Sequence, residues 1–128
     1  MMGDDGALAI LLYDGAYARA HYAFVLAAGA LAIGRPVILF AAGRGVHALA
    51  RDWSGLHDAG DDALVRAKGV AGMDMLRDAV VELDARLMAC EAALKLCDLP
   101  VDRLLPGVQV AGVPTFLEAA RGRQIITL

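Results

Sequence analysis

The chain has 128 residues, 59% hydrophobic, 21% charged and 5% aromatic, with a formal net charge of −3 at pH 7. That length is one domain's worth and enough to bury a core. The composition excludes both a disordered chain and a disulfide scaffold. Lys and Arg are scattered, so no basic cluster could neutralise a run of phosphates, and nucleic acid is not an expected partner.

The opening MMGDDG carries two acids and no base. A secretory signal needs a positive region ahead of its apolar stretch, so the expected location is cytoplasmic. Between Tyr22 and Gly43 the only charge is Arg35, and that length would suffice for a membrane span. Gly34, Arg35 and Pro36 break the segment in the middle, which predicts two buried soluble elements and no membrane partner.

Residues 7–12 (ALAILL) form a short apolar run of the kind covered on both faces of a sheet, the first strand. Asp14 is placed to cap the helix that follows. Tyr17, Ala20, Phe24, Ala27, Ala28 and Leu31 recur at helical spacing over residues 16–33, with Gly34 in the terminating position. Ala23, Leu26 and Ala30 make this helix nearly apolar all round, which predicts that it is covered in a homo-oligomer.

Residues 37–40 read as the second strand, followed by AAGRGV and a short helix over 46–51. Residues 52–68 are polar and contain glycine, an expected mobile excursion with a turn of helix. A helix over 70–83 places Met73, Leu76, Val80 and Leu83 on one stripe and turns Arg77, Asp78 and Glu82 outward. Residues 85–89 form the third strand and 90–97 a helix halted before Pro100, with Asp102 capping a short turn. The fourth strand covers 108–111, a helix beginning near Pro114 covers 114–120, and the fifth strand covers 124–128.

Strands alternating with helices predict a single α/β domain over residues 1–128: a three-layer α/β/α arrangement around a mainly parallel sheet of about five strands. In such folds the working loops gather beyond the carboxyl ends of the strands. That rule nominates Tyr13, Asp14 and Gly15, the 41–45 turn, Cys90, and residues 112–114.

Cys90 is the candidate nucleophile. It stands where a strand gives way to a helix, facing unpaired amides that favour a thiolate. The competing reading is a small buried hydrophobe. Cys97, two helical turns on, is too far along the axis for a disulfide without unwinding, and is read as packing. His21, on the first helix, is a candidate base or cation for Cys90. Arg44, between Gly43 and Gly45, and His47 just beyond it are further candidates, the turn being able to seat an anion on its amides. Trp53 and His57 are placed to form a lid over the rim. His21, His47 and His57 lack metal-ligand spacing, and neither a phosphate-binding loop nor a GxSxG elbow occurs, so no metal and no cofactor is expected.

The segment LMACEAALKLCDLPVDRLLPGVQVAGVPTFLEAA resembles the DsrE/DsrF-like sulfur-relay proteins, in which a strand ends in an alanine–cysteine pair and a VAGV stretch leads to the last helix. LLYDGAYARAHYAFVLAAGALAIGRPVILFAAGRGV is similar to the same family's opening strand, helix and second strand. The resemblance implies a compact α/β subunit assembled into trimers or hexamers. It implies that Cys90 carries sulfane sulfur as a persulfide, passed to or from a small partner of the TusA type. Cys97 and Asp98 depart from the family pattern, which has a bulky apolar residue and a glycine there, and AAGRG replaces an aromatic stretch. The two functional expectations are a sulfur carrier or sulfurtransferase-like protein working through Cys90, and a non-catalytic oligomeric interaction or small-ligand-binding subunit of the same fold.

Overall fold

The computed structural model describes residues 6–128. Residues 1–5, which hold most of the acidic opening stretch, lie outside the described residues. Five parallel strands, β1 (Leu8–Leu12), β2 (Val37–Ala41), β3 (Arg86–Cys90), β4 (Gln109–Ala111) and β5 (Gln124–Thr127), lie in the order β4-β3-β2-β1-β5. The helices are α1 (Tyr17–Ala32), α2 (Asp61–Ala67), α3 (Met73–Glu82), α4 (Glu91–Leu96) and α5 (Val113–Ala119).

The strands reflect their side chains. β2 (VILFA) is buried at every position, as continuous apolar runs are when helices cover both faces of a sheet. β5, at the edge, keeps three of its four residues exposed. The crossovers from β1 through β4 step in one direction, and α1 packs on α3. The connection through α5 steps back across the sheet to β5, which by the right-handed rule places α5 on the opposite face. There Phe116 stacks on Phe40 of β2 at 4.6 Å between ring centroids.

Tyr17, Ala20, Ala23, Phe24, Ala27 and Ala30 are the buried face of α1, while Tyr22 stays exposed. Full burial of a side chain such as Phe24 contributes about 1.5–3 kcal/mol. Gly34 takes a positive φ of 82° and ends α1, as its position predicts. Asp14 does not occupy the capping position, which falls to Ala16; its Oδ1 instead accepts the Ala16 amide at 2.7 Å, bracing the turn just before the helix.

Four local expectations are corrected. Helical spacing turns Arg77 outward, yet it is 5% exposed and its guanidinium donates to the carbonyls of Ala48, Ala50 and Arg51. Those carbonyls close the 3-10 segment Gly43–Leu49 and the turn after it, where no helical ladder satisfies them. Leu83 is exposed because α3 ends at Glu82 and the chain leaves the helical period there. Asp102 is no cap: Pro100 holds that position and Asp102 lies inside the 3-10 turn Val101–Arg103. The short helix after β2 is a 3-10 segment that begins at Gly43, earlier than its apolar residues suggest.

Candidate functional site

The carboxyl ends of β1, β2 and β3 bring the chemistry-bearing residues to one rim. Cys90 ends β3, pairs in register with Ala111 of β4, and is the residue from which α4 starts. Its side chain makes no capping hydrogen bond, it is 8% exposed, and it belongs to the core cluster. The exposed Glu91 follows in the first turn of α4. Both cysteines are free thiols.

Cys97 stands at the other end of α4 and caps it, its amide donating to Ala93 O at 2.9 Å. It is half-buried, and its thiol lies 3.8 Å from Gly43 O as a weak donor. Together with Tyr13, Asp14, Gly15, Gly43, Arg44, His57 and Leu96 it lines an open cleft of about 430 Å³. Gly43 makes the close approach possible: its φ is 49°, and a Cβ there would lie 2.7 Å from the Tyr13 ring. The Arg44 guanidinium reaches Gly55 O at 3.3 Å, its one hydrogen bond among the described residues.

His57 reaches this cleft through backbone pairing. Its amide donates to Gly15 O at 2.9 Å and its carbonyl accepts the Tyr17 amide at 2.8 Å, an isolated parallel bridge at Ala16. By its place in the sequence His57 is expected only in a lid with Trp53. Trp53 instead packs beside Tyr17 and donates Nε1 to Asp74 Oδ1 at 2.7 Å, fastening the excursion to α3. A second anchor of the 52–68 segment escaped sequence reading altogether. Buried Asp62 accepts the Tyr17 hydroxyl at 2.6 Å, the Met73 amide at 2.7 Å and Arg66 Nε at 2.9 Å. No signal in DDALVRA marks Asp62 as the buried acid rather than its neighbour Asp61.

The remaining candidates go elsewhere. His21 Nε2 is 2.8 Å from Ala71 O and its ring stacks on Tyr17 at 5.4 Å, so its polar atom is engaged with the segment ahead of α3. His47 faces a neighbouring hollow lined by Asp52, Ser54, Gly55 and Leu99 among others. Burial, then the charges of Arg44 and His57, push its imidazole below the ordinary histidine range. Among the described residues no group of three His, Cys, Asp or Glu side chains is placed to hold a metal ion, and no helix is long and apolar enough to cross a membrane.

No family model matches the chain. Over 56 residues it is 34% identical to the sulfur carrier protein DsrE2 of Allochromatium vinosum, a match covering 44% of this chain and 35% of that protein. The ychN protein from E. coli shares its fold with a TM-score of 0.65 at 11% identity, over 95% of this chain and 99% of that one. The match to DsrE2 is a likeness over part of each chain, and the solved structures share the fold. Protein MTH1491 of Methanobacterium thermoautotrophicum, described as of unknown function, shares the fold with a TM-score of 0.57 at 20% identity, over 95% and 98% of the two chains. The chain thus spans about a third of the length of the DsrE2 relative it matches. At the end of α4, Cys97 caps the helix and Asp98 takes the left-handed φ of 50° that glycine takes most readily.

Proposed function

We propose that the chain is a sulfur carrier whose Cys90 holds sulfane sulfur as a persulfide. The observation that carries this reading is Cys90 at the β3–α4 junction of a DsrE-like sheet, in a chain similar to a sulfur carrier protein. In the step envisaged, the Cys90 thiolate attacks the outer sulfur of a donor persulfide. The donor S–S bond breaks, the donor leaves as a thiolate, and Cys90 becomes the persulfide. An acceptor thiolate then takes the outer sulfur and returns Cys90 to a thiolate, so no external oxidant or reductant enters. The resemblance makes a TusA-type protein the acceptor or donor, working in the cytoplasm with a trimeric or hexameric form of this chain. The apolar residues that α1 leaves partly exposed, Val25, Leu26 and Leu31 among them, suit such an assembly.

The test is peptide-level mass spectrometry after incubation with a persulfide donor. The Cys90 peptide should carry an added sulfur in the wild type, and the C90S peptide should not; an unmodified Cys90 peptide in the wild type refutes the role.

The low exposure of Cys90 favours a second reading, a non-catalytic interaction or ligand-binding subunit in which this thiol only packs. Alkylation separates the two. A carrier thiol reacts readily at neutral pH, whereas a packing thiol reacts slowly there and faster only toward the ordinary cysteine range near ~8.5.

A further inference from the structure

We propose that the cleft containing Cys97 is a second sulfur-accepting site, taking sulfane sulfur from a small persulfide that carries a carboxylate. The proposal extends the sulfur-carrier reading to a thiol that the family pattern does not supply. Two observations lead to it. Cys97 lines an open cleft of about 430 Å³, room for a molecule of amino-acid or tripeptide size, whereas Cys90 is 8% exposed within the core cluster. The same cleft gathers Arg44, His57 and Tyr13 from three separate segments onto the thiol's surroundings.

The charges there fit an anionic ligand. Arg44 is exposed and has one hydrogen bond among the described residues, from Nη2 to Gly55 O, which orients the guanidinium without neutralising it. Asp14, the one acid lining the cleft, is occupied by the Ala16 amide at 2.7 Å and by Arg19 at 3.8 Å. Cys97 sits at the carboxyl end of α4, and Arg44 and His57 line the cleft with it. The Tyr13 ring lies against Gly43 and forms one wall.

The step balances without a further reagent. The Cys97 thiolate attacks the outer sulfur of R–S–SH, the donor S–S bond breaks, R–S⁻ leaves, and Cys97–S–SH forms. Arg44 binds the donor's carboxylate.

Cysteine persulfide generated in place is the probe, with a neutral alkyl persulfide as the comparison and peptide-level mass spectrometry as the readout. Sulfur should appear on the Cys97 peptide, in the wild type and in C90S alike, and should be absent from C97S. Arg44→Gln should slow loading of Cys97 by cysteine persulfide about tenfold, the worth of one charge-assisted contact, and leave the neutral donor unaffected. Sulfur on the Cys90 peptide alone overturns this proposal and leaves the Cys90 reading standing. Sulfur on Cys97 alone does the reverse, and sulfur on neither removes both. Equal loading by the two donors in wild type overturns the carboxylate specificity.

Discussion

The Tyr17 hydroxyl donates to Asp62 Oδ1 at 2.6 Å, joining residues forty-five positions apart and tying the first helix to the excursion. Asp62 also receives the Met73 amide and Arg66 Nε, so one buried carboxylate joins α1, α2 and the start of α3. Burial and the adjacent carboxylate raise the Tyr17 phenol well above its ordinary range, which keeps it a donor at every working pH. Removing the acceptor leaves a buried hydroxyl and a buried amide without partners. Asp62→Ala should therefore lower stability by about 3 kcal/mol, and Tyr17→Phe by about 1–2 kcal/mol. Urea unfolding of both variants and their combination checks this; a combined loss equal to the sum of the two would contradict the shared bond.

Acid should destabilise the protein in two separate windows. Burial pushes the Asp62 carboxyl up, but the Tyr17, Met73 and Arg66 hydrogen bonds outweigh it and hold the group below its usual value. Its contribution is present above the unfolded carboxylate value of about 3.9 and is lost as pH falls through the lower folded value. His47 is also depressed in the fold, here by burial first. A depressed imidazole is neutral when folded, so its contribution is complete above about 6.5 and lost as pH falls through the folded value. His47→Gln should flatten the stability profile just below pH ~6.5, and Asp62→Asn the steeper fall below pH ~4. A profile unchanged by either substitution would show that other groups govern the acid limb.

Arg77 acts as a buried cross-brace between α3 and the chain that follows β2. Its guanidinium serves Ala48 O, Ala50 O and Arg51 O, and burial pushes it below the usual arginine range. Arg77→Met, which keeps the apolar stem, should cost about 2–4 kcal/mol because three carbonyls lose their donor. Arg77→Lys should recover only part of this, since an ammonium lacks the planar fork that reaches all three. Thermal unfolding of the two variants measures the difference, and full rescue by lysine would show that charge alone suffices.

The sequence by itself determined the order of elements, the parallel sheet and the rim where β1, β2 and β3 end. Apolar runs such as VILF, breakers such as Gly34 and Pro36, and the alternation of periods are local signals that act within a few residues. The burial of Arg77 and Asp62, the arrival of His57 in the cleft that Tyr13 also lines, and the exposure of Cys97 relative to Cys90 were settled only by tertiary structure. Each depends on which distant backbone groups need a partner or leave a gap, as the carbonyls of Ala48 and Ala50 need Arg77. A period of 3.6 residues turns a side chain toward a neighbour without saying what that neighbour lacks.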